Sequence, residues 1–446
     1  MKNSIVKLAA LVMSILLAFT VAGCGGSGNN NGDSPSSGGS KGTDLSFFDD
    51  IPEELKGTTV KFATWIDHKS NESAQVLEDF TELTDINVEL VNIPQLGYVT
   101  QVAALIASGE APDVIVSINN DFPSSLQLLQ PLNGIIDTTD TFWNQDIVKL
   151  GTIGDKSYLV NVKDGAWDLG ANALVYYNAR IFEENGITTP DLYKHEGRWT
   201  LDNFFKAAKE LSKVCKTTGA CVAYSAFANT YASGMVSYDA DSQTFTSNLS
   251  DQNYISVMQK LTSARESGYL VCDDGGLRNY FINEEAGMLM ISSYGLRKTG
   301  WLHSMDADDL AFIEMPALDA ETEATAPAVL RGYGISKGAS NAEGAAYFLR
   351  YFLDGNNYDE DELYLNEDAA EIYSKLALAA DYSSVPWDGS VMNILATTSS
   401  PIYEFFPELF TTTSAQLPVV LNKSANQLES CILRANDIIN KVKSGS

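Results

Sequence analysis

The residues of this chain best suited to chemistry are aromatics, carboxamides, carboxylates and arginines that fall just beyond short apolar runs. Trp65, Asp67 and His68 follow one such run, and Asn119, Asn120 and Asp121 follow another. Trp167 with Asp168, Asn229 with Tyr231, and Tyr294 with Arg297 form three further groups, while Arg331 and Tyr333 flank the next run. Aromatic faces can cover the C–H surfaces of a polar ligand, and planar amides or carboxylates can take its hydroxyls. Groups of these types are suited to holding a polar solute reversibly. Each residue also has a structural use: Asn120 and Asp121 as caps of a turn, Arg331 as partner of a carboxylate, the rings as packing.

Signals for catalysis are weak beside this. Among 58 acidic residues, carboxylate pairs arise by chance and do not single out a glycosidase. There is no His-Glu-x-x-His segment, and the Gly-Ser-rich stretches read as tether rather than as a phosphate loop or nucleophile elbow. With three histidines (His68, His195, His303) and no Cys-x-x-Cys spacing, neither a metal site nor a cofactor is expected.

The elements that must position these groups alternate. Thr58 to Ile66 is β-rich, Ser73 to Thr84 has helical apolar spacing, and Ile86 to Ile93 alternates as a strand. Tyr98 to Ser108 reads as a helix stopped by Gly109, and Asp113 to Ile118 as a strand buried on both faces. Leu174 to Tyr177 is a strand followed by a helix over 179–185. Thr200 caps a helix carrying Phe204, Phe205, Ala208 and Leu211. Met288 to Ile291 and Gly332 to Ile335 read as strands, and Ala342 to Leu353 and Leu417 to Val442 as helices. Trp143, Trp199 and Trp301 are assigned to the core. The grammar is that of α/β layers with right-handed crossovers.

The N-terminus sets the compartment. Lys2 and Lys7 precede an apolar stretch too short for a comfortable membrane span, so residues 1–23 read as a secretory signal peptide. Thr20-Val21-Ala22-Gly23-Cys24 resembles a bacterial lipobox, which makes Cys24 the lipidated N-terminus of a protein on the outer face of the cell membrane. Residues 24–44, rich in Gly, Ser and Asn, form a flexible tether. The formal charge of −29 repels nucleic acid and keeps a secreted protein soluble. Of the remaining cysteines, Cys215 and Cys221 enclose a turn-like segment, and a local disulfide between them is expected in an oxidising compartment.

The segments FTELTDINVELVNIPQLGYVTQVAALIASGEAPDVIVS (80–117), LVYYNARIFEENGITTP with RWTLDNFFKAAKEL (174–211), EAGMLMISSY (285–294) and YGISKGASNAEGAAYFLRYFL (333–353) together resemble, in order, the family 1 extracellular solute-binding proteins of ABC importers, the maltose-binding-protein-like lipoproteins. The resemblance implies an α/β, two-lobe periplasmic-binding-protein-like fold with a hinge and an inter-lobe ligand cleft. By that similarity, lobe one comprises 45–165 plus 292–388 and lobe two 168–290 plus 392–446. It puts Trp65 and Tyr294 at ligand-facing positions and implies a monomer that delivers a sugar or oligosaccharide to permease subunits, without enzymatic activity. A ligand-binding lipoprotein of a sensor or adhesion system, or a secreted carbohydrate-active hydrolase, are the alternatives.

Overall fold

A computed structural model describes residues 45–118, 121–163, 173–232, 234–272, 276–320, 328–380, 382, 385–386, 408–409 and 411–445. The expected signal peptide, Cys24 and the tether lie outside them, as do Asn119, Asn120, Trp167 and Asp168.

The chain begins its first layer with β1 (Thr59–Thr64), α1 (Ala74–Thr84), β2 (Asn87–Asn92), α2 (Tyr98–Ser108) and β3 (Val114–Ile118). Helix α1 buries Val76, Leu77 and Phe80 on one stripe. Helix α2 ends where Gly109 turns left-handed (φ 81°) and its N–H meets the carbonyls of Leu105 and Ile106. β1 lies parallel to both β2 and β3. The buried Asp113 carboxylate accepts from the Lys61 and Asn341 backbone N–H groups, each at 2.8 Å, and so ties β3 to β1 and to a late helix.

After α3 (Gln145–Leu150) and the short pair β4 (Thr152–Ile153) and β5 (Lys156–Ser157), the chain builds β6 (Leu174–Asn178), α4 (Ala179–Asn185), α5 (Pro190–His195) and α6 (Leu201–Leu211). The Thr200 hydroxyl caps α6, as the sequence predicts. Then follow β7 (Ala220–Val222), α7 (Tyr224–Ala232), β8 (Val236–Asp239), β9 (Thr244–Ser247), α8 (Gln252–Glu266), β10 (Leu270–Cys272), α9 (Leu277–Ile282), β11 (Met288–Ile291) and β12 (Leu310–Glu314). The last part holds β13 (Arg331–Ile335), α10 (Ala342–Leu353), α11 (Glu360–Leu363), α12 (Glu367–Ala379), β14 (Val385–Pro386) and the long α13 (Leu417–Ser444).

Among the described residues, two principal sheets form, in the orders β13-β3-β1-β2 and β10-β7-β11-β6-β12. Neither is purely parallel: β13 runs antiparallel to β3, and β6 antiparallel to β11 and β12. Strand β12 pairs with β6, so the stretch 292–388 does not belong wholly with the first sheet; it sends one strand to the second. Apolar periodicity along a strand carries no information about which distant strand it will pair with.

Candidate functional site

The site grows from the carboxyl end of the first sheet. β1 stops at Thr64, and the next residue is Trp65; β3 stops at Ile118, three positions before Asp121. Because β13 is antiparallel to β3, its first residue, Arg331, stands opposite Ile118 at this same edge. Antiparallel pairing thus brings the start of a late strand to the end of an early one. Tyr98, at the start of α2, fixes the corner: its hydroxyl donates to Ala63 O at 2.7 Å and accepts from Val116 N at 3.1 Å.

Trp65 is half-buried and meets the Tyr98 ring edge-on, with centroids 5.0 Å apart. The Arg331 guanidinium lies 5.9 Å from the Trp65 ring centroid and 5.8 Å from that of Tyr333, whose hydroxyl accepts from Arg331 Nε at 3.2 Å. Asn161 Nδ2 donates to Arg331 O at 2.9 Å, holding the strand start in place. Asp121 is 7% exposed, and its Oδ2 has no hydrogen-bond partner among the described residues. Loss of solvent raises its carboxyl from 3.8 to about 7. The corner therefore combines an aromatic surface, a guanidinium and an unmatched acceptor, a set able to bind a polar solute.

Residues 65–354 match the bacterial extracellular solute-binding protein family. The chain belongs to that family. A search of curated proteins finds no match. Among solved structures, this solute-binding protein is similar to the galacto-N-biose/lacto-N-biose I-binding protein of an ABC transporter from Bifidobacterium longum, solved with lacto-N-biose. The TM-score is 0.63 at 13% identity, covering 86% of this chain and 98% of that one. It is also similar to a maltose/maltodextrin-binding domain from Bdellovibrio bacteriovorus bound to maltotriose (TM-score 0.58, 14% identity, 84% and 99% covered). A third is the extracellular solute-binding protein of Staphylococcus aureus with maltose (TM-score 0.57, 13% identity, 86% and 97% covered). The likeness establishes the mixed α/β, two-lobe binding-protein fold, and the family consists of binding proteins that act outside the cytoplasm, not of enzymes.

Other candidates of the solute-binding protein fall elsewhere. His68 is 1% exposed, stacked on Phe62 and edge-on to Phe352, with Nδ1 2.9 Å from Ser73 Oγ. Burial, followed by the Arg331 and Arg297 charges, lowers it from 6.5 to about 3, so it is a neutral core residue rather than a ligand contact. Asp67 is exposed and closes a turn by accepting from Lys69 N and Ser70 Oγ. Arg297, also buried, is engaged by Glu72, and Tyr231 by the Pro316 carbonyl and the Phe227 ring. Tyr333 is fully buried beneath the corner. Tyr294 is half-buried, its ring 5.2 Å from that of Trp301. Trp301 itself is half-exposed under the Arg278 guanidinium at 4.6 Å, whereas Trp143 and Trp199 are core as expected.

Tyr98 escaped the sequence reading, although an aromatic at the first position of a helix facing strand ends was the available signal. The expected disulfide is not formed: Cys215 and Cys221 are free thiols. The segment between them does bend over 216–219, but Cys221 itself lies inside β7, in register with β10 and β11. Among the described residues no cluster of His, Cys, Asp and Glu could hold a metal, and no helix is long and apolar enough to cross a membrane.

Proposed function

We propose that this solute-binding protein captures a neutral sugar or short oligosaccharide in a cleft bordered by Trp65, Asp121, Arg331 and Tyr294, and hands it to the permease subunits of an ABC importer. In this reading it is a monomer held at the outer face of the cell membrane by acylated Cys24. Asn119, Asn120, Trp167 and Asp168 are further proposed contacts to the solute. The two lobes are 45–165 plus 292–388 and 168–290 plus 392–446, with β12 reassigned to the second. Ligand bridging both would close them, the closed form being favoured by contacts that exist only there.

One observation carries the reading: the half-buried Trp65 ring shares its corner with a carboxylate oxygen that is buried and unmatched. A ring face favours the C–H side of a pyranose, and a lone buried acceptor favours a hydroxyl donor. A phosphate-bearing solute is less well suited, because the Arg297 guanidinium is already paired with Glu72. The ligands bound in the similar structures, maltose, maltotriose and lacto-N-biose, are of the same chemical class.

The test is a thermal-shift screen over maltose, maltotriose, lacto-N-biose, polyols and phosphoesters. A ligand present at 100 times its dissociation constant adds about 2.7 kcal/mol to stability. A neutral saccharide is expected to raise the unfolding midpoint. Stabilisation by phosphoesters alone would overturn the assignment.

A further inference from the structure

The two segments that carry the half-buried rings meet through a buried ion pair. Arg297 Nη1 is 2.9 Å from Glu72 Oε1, and the two side chains are 2% and 5% exposed. Glu72 lies near the end of the loop that Trp65 begins, one residue before the helix cap Ser73, and Arg297 ends the turn that holds Tyr294, its N–H donating to Tyr294 O at 3.3 Å. The partners are 225 residues apart in sequence. One segment leaves β1 of the first sheet, and the other leaves β11 of the second.

Each segment is stiff in itself. The Trp65 loop is braced by Thr64 Oγ1 accepting from Ile66 N at 3.1 Å, by His68 against Ser73, and by Asn71 Oδ1 accepting from Ser73 N at 2.9 Å. The Tyr294 turn is braced by Ser292 Oγ accepting from Tyr294 N at 3.2 Å, by Tyr176 Oη donating to Ser292 O at 3.0 Å, and by Leu365 N donating to Leu296 O at 2.9 Å. The ion pair therefore joins two rigid pieces.

Adhesion alone does not call for charge at this place. Desolvating two ions offsets most of their attraction, and apolar residues of similar volume would hold the segments as well or better. The buried Glu72 Oε2 has no partner among the described residues, a cost that an apolar pair would not carry. What an arginine–carboxylate hydrogen bond adds is a set distance and direction, where apolar contacts can slide.

We propose that Glu72 and Arg297 are positioning residues that hold the Trp65 and Tyr294 rings at the spacing and orientation in which they grip a ligand. This rests on the assignment of those rings to the ligand site, and the following experiment is chosen to be independent of it.

The protein, with its six tryptophans, is labelled with 5-fluorotryptophan, and each resonance is assigned by a Trp→Phe variant. Trp65 reports one ring directly, and Trp301, 5.2 Å from Tyr294, reports the other. In the apolar double variant Glu72→Leu/Arg297→Met, the Trp65 and Trp301 resonances should shift or broaden. Those of the core residues Trp143 and Trp199 should hold still at an unchanged unfolding midpoint. If Trp65 and Trp301 also hold still, or if all resonances change together with a fallen midpoint, the positioning role is rejected. Should the double variant not fold, Glu72→Gln keeps the shape without the charge and is read by the same criteria. No ligand is needed for this measurement, so binding by Trp65→Ala separately decides whether the ring meets solute at all.

Discussion

Asp121 and His68 are buried titratable groups whose environments act in opposite directions. Asp121 has its carboxyl raised from 3.8 to about 7, so the folded state binds the extra proton between those values. Its contribution is full at low pH and is lost as pH rises through that window. His68 is lowered from 6.5 to about 3, so the unfolded state binds the extra proton, and stability is lost as pH falls from 6.5. Relative to the parent, Asp121→Asn should gain stability on going from pH 4 to pH 8, on the order of 4 kcal/mol. Urea midpoints across pH measure it, and parallel profiles would reject the buried carboxyl. A ligand hydroxyl donated to Oδ2 favours the carboxylate, so affinity should weaken below about pH 7 in the parent and not in the variant. The rings make a second prediction at this scale: Trp65→Ala or Tyr294→Ala should weaken solute binding by roughly 2 kcal/mol, as for a desolvated anchor, with the fold kept. Calorimetric affinity beside an unfolding midpoint distinguishes that from a packing role, for which the loss falls on stability at about 3–5 kcal/mol.

At the scale of elements, β13 is shaped by its alternating glycines. Arg331-Gly332-Tyr333-Gly334-Ile335 pairs with β3 on one edge, while Val160 bridges to Tyr333 on the other. A Cβ on Gly334 would come within 2.5 Å of the Tyr158 carbonyl oxygen, and one on Gly332 within 2.9 Å of Leu159 Cβ. The missing side chains let the 158–160 segment close over the strand whose first residue is Arg331. Gly334→Ala should cost about 1–3 kcal/mol, read from a urea midpoint, because the atom it meets is backbone. Strand β7 supplies the other test. Burial pushes the Cys221 thiol up to about 12 and Cys215 up to about 11, which disfavours the thiolate needed for exchange. Alkylation of unreduced, unfolded protein should label both, and a mass showing them joined would restore the local bridge.

For the molecule as a whole, capture and anchoring are separate. The family match begins at Trp65, well after Cys24, so in the proposed reading the anchor lies outside the matched segment. Cys24→Ser should release the protein to the medium or leave it unprocessed, while the isolated protein keeps its thermal shift with saccharide. Fractionation with membranes at parental levels would remove the lipobox reading.

How much of this was legible in the sequence differs by kind of information. Helices 98–108, 179–185 and 342–353 and strand 288–291 stand where their patterns predict them, because periodicity and caps are local. The ordered segments likewise sufficed for the family and the two-lobe fold. Burial and pairing were not legible. His68 and Asp67 are neighbours in sequence, yet one is in the core and the other in solvent. Arg297 looked like a ligand group until Glu72, far away in the chain, neutralised it. Arg331 and Asp121 reach one corner because β13 runs antiparallel to β3, a choice no alternation of apolar residues records. Local sequence determines what an element is, since its cause lies within a few residues. Which elements share an edge depends on long-range packing, and in this protein that packing assembles the corner of Trp65, Tyr98, Asp121 and Arg331.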